Sequence, residues 1–335
     1  MNNIQVLDCT LRDGGYVNGW RFGDHNAQEI AKLISHTGVE YVEVGFIKLC
    51  DYIKDIIQFN HMDQIAALFR PSKQKLSLIV EVGYGYPVTS FPPRSEKTVD
   101  LVRVIMWKRS LKDGLEYCRR LKELGYEVGV QPTRVEQYSD EEYAELMQNF
   151  SKINPTAIYI VDTFGLLTEE KLMHYAQIAD NNLGEGIRLG YHAHNNMQQA
   201  FPNAVAFVNH LWKHEIMLDA SVTGMGRGAG NLCLELLLKY LNEHQFGNYN
   251  ISPTYEVASR IEQYHSIAPW GYSMPYYLSA VNGRNPSYVL YLAKKGLSIA
   301  QIAEVYNLMR ERNVGITYDT TICDSIVAEV KQGGQ

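Results

Sequence analysis

The sequence predicts a TIM (β/α)8 barrel followed by a C-terminal helical extension. Three observations lead there. Eight short runs rich in β-branched and aromatic residues precede Asn250, helical periodicity fills most gaps between them, and beyond Asn250 helical patterns continue without strands. Eight β/α units over about 250 residues is the size of such a barrel. A doubly wound open sheet is the alternative for the same alternation. The expected boundaries are 1–250 for the barrel and 251–335 for the extension.

The strands read in order as IQVLDCTL, YVEVGFI, LSLIVEVG, LVRVIMW, YEVGVQP, AIYIVDTFG, IRLGYHAH and IMLDASVTG. Helices are expected over Asp24–Thr37, Tyr52–Phe69, Leu111–Leu124, Ser139–Ile153, Thr168–Asn182, Met197–His210 and Asn231–His244. Ser139 and Thr168 each precede an acidic first turn, and Gly38, Gly125 and Gly184 stand where helices should close. The connection 84–98 carries little helical signal. In the extension, helices are expected over Thr254–Ser266, Pro286–Lys295 and Ile299–Arg312.

The net charge of −6 leaves no basic footprint for nucleic acid. The five cysteines are scattered without a CxxC pair, which suits thiols used as small core residues in a reducing compartment. The chain enters a strand almost at once, with no signal-peptide pattern and no apolar run of membrane-spanning length. The expectation is a soluble cytoplasmic protein that engages neither nucleic acid nor membrane.

Barrel chemistry occurs at the C-terminal ends of the strands. The first strand is expected to end at Arg12 and Asp13, and alternation puts Asp8, Thr10 and Arg12 on the inner face, with Asp13 just beyond. A buried arginine and aspartate need partners, and a structural ion pair is the plain alternative to a catalytic role. On the seventh strand, His192 and His194 are two residues apart and point to one face, within reach of one ion. Core histidines with satisfied hydrogen bonds are the other reading. Asp13 would add a carboxylate, giving a mixed nitrogen and oxygen set for Mn²⁺, Zn²⁺ or Fe²⁺.

The eighth strand leads into TGMGRGAGN, Thr223 to Asn231. Its glycines, Gly226 and Gly228 among them, would let backbone amides approach an anion at a helix start, or would simply close a tight turn. Asn231 could cap that helix or reach the metal. Glu43 is the inward residue of the second strand by parity, with a salt bridge in the barrel floor as its structural alternative. Asp162 and Thr163 end the sixth strand, and Gln131 and Thr133 share a face on the fifth.

DCTLRDG, YVEVGF, VDTFG, GYHAHNN and GMGRGAGN occur in this order on these strands. Together they resemble the family of metal-dependent lyases and aldolases that includes 3-hydroxy-3-methylglutaryl-CoA lyase and isopropylmalate synthase. The eighth-strand loop is most similar to the 4-hydroxy-2-oxovalerate aldolase branch. The resemblance covers Val6 to about His244 and implies a TIM barrel. It implies that Asp13, His192 and His194 bind a divalent cation, with Asn231 completing the site as in the acyl-CoA branch. The cation is expected to be Mn²⁺, with Mg²⁺, Co²⁺ or Zn²⁺ as alternatives. Arg12 matches the arginine that steadies the enolate of a metal-bound 2-oxo acid.

One position departs from the family. Three residues after the metal aspartate the aldolase branch carries a histidine and the lyase branch a glutamine, where this chain has Tyr16. Tyr272, in PWGYSMPYYL, matches an active-site tyrosine of the aldolases and could pair with Tyr16. The catalytic set implied is therefore Arg12, Tyr16, Tyr272 and Glu43. Substrate contacts would come from Arg12, Asp162, Thr163, Gly226 and Gly228.

The function expected is a carbon–carbon lyase that cleaves or forms a 4-hydroxy-2-oxo acid from pyruvate and an aldehyde through a metal-bound enolate. A Claisen-type reaction with an acyl-CoA is the second reading. A non-catalytic metal-binding barrel is the third. The resemblance also implies an aldehyde dehydrogenase partner, or a homodimer, through the C-terminal helices.

Overall fold

The computed structural model describes residues 3–69, 74–83 and 85–333. Eight parallel strands close a ring: β1 (Ile4–Asp8), β2 (Tyr41–Ile47), β3 (Lys75–Glu81), β4 (Leu101–Met106), β5 (Glu127–Pro132), β6 (Ala157–Asp162), β7 (Arg188–Ala193) and β8 (Ile216–Ala220). Each strand pairs with its sequence neighbours, and β1 pairs with both β8 and β2. The expected barrel is thus present, and the open-sheet alternative is excluded.

Two apolar layers hold the ring. Inside it, Leu7, Cys9, Tyr41, Leu101, Ala157, Tyr159, Val161 and Met217 form one cluster. Outside it, residues such as Val6, Val42, Val102 and Leu218 pack on the surrounding helices. This corrects the parity expected for β1: Leu7 and Cys9 face inward, and Asp8 faces out.

The cause is that β1 stops at Asp8 and residues Thr10–Asn18 form a helix. Asp8 Oδ1 accepts the Thr10 amide at 3.0 Å and Oδ2 accepts the Thr10 hydroxyl at 2.7 Å, which turns the chain. The two glycines after Asp13 permit close approach rather than an unusual dihedral. A Cβ on Gly15 would lie 2.1 Å from Trp20 Cδ1, and one on Gly14 would lie 2.9 Å from Met225 Sδ. Trp20 Nε1 donates to the Arg12 carbonyl at 2.9 Å and pins the helix over the barrel mouth.

Burial pushes the Asp8 carboxyl up to about 7 against the two Thr10 bonds. This value lies above the ordinary 3.8. The folded protein therefore keeps a proton that the unfolded chain releases. Asp8 contributes its stability fully below the ordinary value and loses it as pH rises through the folded one. Asp8→Asn, neutral throughout, is expected to lessen the fall in urea midpoint between about pH 4 and about pH 7.

Ser139 caps Asp140–Ser151 with a reciprocal Glu142 bond, and Thr168 caps Glu169–Asn182, as expected. The expected helix Tyr52–Phe69 shrinks to Met62–Leu68, capped by His61. Gln58–Phe59 instead adds a short parallel strand to the end of β2. The Ile57 amide donates to the Trp20 carbonyl at 3.1 Å, so backbone pairing wins over helix there. Tyr84 lies outside the described residues; beyond it the connection to β4 contains one short 3-10 turn, Val88–Ser90.

The helical extension has two parts. Helix Ser252–His265 places Val257, Ile261 and Tyr264 in the barrel's outer core. From Tyr276 onward, Tyr288, Leu292, Val305, Tyr306, Met309 and Ile326 form a separate cluster that also takes in Ala229 of the eighth loop. Helices Met274–Val281 and Thr320–Gly333 escaped the periodicity reading. No helix among the described residues is long and apolar enough to cross a membrane.

Candidate metal centre and active site

Arg12 and Asp13 enter the barrel mouth from the first turn of the helix after β1, and both are buried. Arg12 Nε donates to Glu43 Oε2 at 2.6 Å and Nη1 donates to Asp13 Oδ1 at 2.6 Å. Glu43 is the fully buried inward residue of β2 and also accepts Arg103 Nη1 at 2.8 Å. Arg103 reaches on across the barrel through Nη2 to Asp219 Oδ2, and Asp219 Oδ2 lies 2.8 Å from His192 Nδ1. One continuous chain of polar contacts therefore crosses the barrel floor from Asp13 to His192.

His192 and His194 extend from the end of β7, and their ring centroids are 5.1 Å apart. His194 Nδ1 faces the Gly230 carbonyl at 3.3 Å. Each Nδ1 thus has an oxygen partner, which leaves each Nε2 free for a cation. Side-chain ligand atoms of Asp13, His192 and His194 all lie within 4.8 Å of one another. Asp13 Oδ2 and Asn231 Oδ1 are buried without hydrogen-bond partners. Buried orphan oxygens carry a desolvation cost, and a divalent cation would satisfy both.

The protonation states agree with this. Burial opposes the Asp13 carboxylate, but Arg12, then His194 and His192, hold it well below the usual range. Burial pulls His194 down to about 3 despite the opposing charge of Asp13. Neither ligand has to lose a proton near neutrality. Asp219→Asn leaves the volume unchanged but can turn an amide donor toward His192, upsetting its tautomer. Mn²⁺ affinity measured by calorimetry is expected to fall roughly 10–100-fold, the usual cost of altering a ligand's supporting partner.

Gly226 is required for close approach. A Cβ there would lie 2.3 Å from Asn231 Nδ2 and 2.8 Å from Asp13 Oδ2. Gly228 adopts φ +69°, and its space is bounded by Asn196 and Pro286. Asn231 faces the chain of polar groups under the loop, with Nδ2 3.4 Å from the Met225 carbonyl.

These groups surround a small cavity of about 70 Å³ lined by Arg12, Asp13, Tyr16, His192 and His194 on one side. Glu81, Trp107, Gln131, Thr133, Thr163 and Arg227 complete its polar lining, with Ile79, Ile105 and Val161 between them. Tyr16 lines this cavity although the residue is 36% exposed. Burial there pushes the hydroxyl up to about 12 against the pull of Arg227 and Arg12. The environment tunes Tyr16 away from a base and toward a neutral hydrogen-bond donor.

Of the expected catalytic and substrate residues, Glu43, Asp162, Gly226, Gly228 and Tyr272 are not among those lining the cavity; Glu43 acts beneath Arg12, and Gly226 packs on Asn231 and Asp13. Asp162 does not line the cavity: Oδ1 accepts the Leu166 amide at 2.8 Å and Oδ2 the Leu167 amide at 3.1 Å. Strand parity turns Val161 and Thr163 inward and Asp162 into its own turn. Tyr272 is 51% exposed, outside the cavity lining, and does not pair with Tyr16. Its neighbour Trp270 does the docking, donating from Nε1 to the Thr223 carbonyl at 3.0 Å.

Four residues escaped the sequence reading. Arg103 and Asp219 each stand as a lone charge at an inward position of an apolar strand, the same signal that singled out Glu43. Glu81 ends β3 on the parity of Ile79. Arg227 was hidden among the glycines of its loop.

Residues 3–262 match the family model described as HMGL-like. An oxaloacetate decarboxylase of Mycobacterium tuberculosis is 23% identical over 285 residues, covering 81% of this chain and 82% of that protein. A 4-hydroxy-2-oxovalerate aldolase of Bacillus cereus is 24% identical over 245 residues, covering 71% of this chain and 70% of its own. Among solved structures, the carboxyl transferase domain of Rhizobium etli pyruvate carboxylase with pyruvate superposes with a TM-score of 0.73 at 14% identity. That superposition covers 99% of this chain and 62% of the other, and shows a shared fold that includes the helical extension.

Proposed function

The chain belongs to the HMGL-like family and is a metal-dependent lyase of that family, and we propose that it catalyses aldol cleavage or formation of a 4-hydroxy-2-oxo acid from pyruvate and an aldehyde. The carrying observation is the buried set of Arg12, Asp13, His192 and His194 around one small cavity, with orphan oxygens on Asp13 and Asn231. Asp13, His192 and His194 would hold the cation, with Asn231 beside them. When bound, the cation supplies a Lewis acid for the 2-oxo acid. Its mixed nitrogen and oxygen donors make Mn²⁺ the first ion to try.

The chain's own residues account for the rest. Two nitrogens of Arg12 are committed to Glu43 and Asp13, so its Nη2 is the donor available to the enolate oxygen. Because Glu43 and Asp13 fix the guanidinium beforehand, no reorganisation is needed as charge develops. Tyr16, kept protonated by burial, donates a hydrogen bond to the aldehyde-derived oxygen, while water takes or returns that oxygen's proton. Thr163 and Gln131 line the same space and orient the acid.

The test is to incubate metal-loaded protein with pyruvate and a panel of aldehydes and to detect the 4-hydroxy-2-oxo acid by mass spectrometry. Product that disappears with chelator supports the reading, and none with any aldehyde contradicts it. The tyrosine at position 16 favours one second reading, decarboxylation of a 3-carboxy-2-oxo acid such as oxaloacetate. That reaction needs the enolate stabilised but no base at a hydroxyl. Carbon dioxide release from oxaloacetate above the rate with metal ion alone would select it.

A further inference from the structure

We propose that Glu81 and Arg227, on two facing walls of the cavity, form an acceptor subsite beside the metal-ligand cluster, and that the aldehyde bound there carries a hydroxyl group beside its carbonyl. The proposal rests on the aldolase reading. Glu81 ends β3, which stands diametrically opposite β7 and its histidines in the ring. One Glu81 oxygen accepts Trp107 Nε1 at 2.8 Å, leaving the other for the cavity. Arg227 arrives from the eighth loop with its guanidinium 5.6 Å from the Tyr16 ring centre. Its Nη2 donates to Asn285 Oδ1 at 2.8 Å, and its Nε is buried without a partner.

Glu81 and Arg227 feel each other's charge, yet among the described residues no direct ion pair joins them. The space between them therefore meets an acceptor on one wall and a donor on the other. A hydroxyl both donates and accepts, so it satisfies the two together. A methyl group would leave the second Glu81 oxygen and the remaining Arg227 donors desolvated without a new partner. A carboxylate would suit Arg227 but oppose Glu81, and an ammonium would do the reverse. Trp107 offers an aromatic wall to the carbon chain.

The chemistry balances without an oxidant or reductant. The pyruvate methyl carbon loses a proton and bonds to the aldehyde carbon, and the former carbonyl oxygen takes up a proton. The additional hydroxyl is unchanged.

The test compares glycolaldehyde with acetaldehyde as acceptors for pyruvate, using the full-length protein loaded with Mn²⁺. The kcat/KM ratio should favour glycolaldehyde by at least about ten-fold, the size of a lost hydrogen bond to a charged group. In Glu81→Leu and in Arg227→Met the ratio should fall toward one, mainly through the acceptor KM. Glu81→Gln, which can still accept from Trp107, should restore part of it. Each ratio is read within one protein, so an overall loss of activity does not affect it. Equal kcat/KM in the wild type, or an unchanged ratio in both variants, would overturn the subsite. Pyruvate methyl exchange in the same wild-type preparation separates the two readings. Exchange without acceptor preference overturns the subsite alone, whereas absent exchange overturns the aldolase reading and this one with it.

Discussion

Arg12→Lys is expected to lower kcat by roughly 10²–10³-fold, the cost of losing one donor aimed at a developing oxyanion. The barrel should stay folded, because the bond that pins this helix, from Trp20 Nε1, goes to the Arg12 backbone carbonyl. Lysine keeps the charge but not the fork. Arg12 serves Glu43 through Nε and Asp13 through Nη1 at 2.6 Å each, and still has Nη2 for substrate. An ammonium is a point charge that cannot hold two carboxylates in these directions and present a third donor. The loss should therefore appear in kcat, with a smaller change in the pyruvate KM. Circular dichroism of the variant checks that the loss is not unfolding. An Arg12→Lys enzyme with wild-type kcat would remove Arg12 from the chemistry.

Arg103→Met is expected to destabilise the fold by about 3–5 kcal/mol, the range for breaking a buried ion pair from one side. Arg103 is fully buried between opposite walls of the barrel. It binds Glu43 and Asp219, stacks 4.9 Å from the Tyr159 ring centre, and donates from Nε at 3.0 Å to the Gln131 amide oxygen once that amide is turned to satisfy its hydrogen bonds. Methionine fills most of the volume but leaves Asp219 with only His192 and Glu43 with only Arg12. The urea midpoint measures the loss. Adding Asp219→Asn to Arg103→Met should recover part of it, because the stranded charge is then gone. If Arg103→Met alone left the midpoint unchanged, the charged floor would contribute nothing to stability.

The barrel was legible because its signals are local and repeated: apolar runs of strand length, acidic first turns, and glycines at helix ends. The metal cluster was legible because His192 and His194 lie on one short strand, where alternation fixes their common direction. The local pattern misleads where a strand ends early. Extending β1 through Arg12 reversed its parity, although Arg12 still reached the cavity by way of a helix. The Asp8-x-Thr10 turn that ends the strand was visible in the sequence as an Asx-type pattern. Asp162 was misassigned for a related reason: it stands one residue from an inward position, and its own turn claims both oxygens. Tyr272 depended on resemblance across a segment where packing, not periodicity, sets the path. Arg227 and Glu81 meet only because the closed ring brings the eighth loop and the third strand to one cavity.

The central claim is that this cavity turns pyruvate into its enolate. Hydrogen–deuterium exchange at the pyruvate methyl group, followed by NMR in D₂O with Mn²⁺ present at a level that keeps the signal sharp, measures that step without any aldehyde. Exchange well above the rate with metal ion alone, abolished by chelator and by His192→Ala, is the predicted result. No exchange from folded protein shown by calorimetry to bind Mn²⁺ would contradict it.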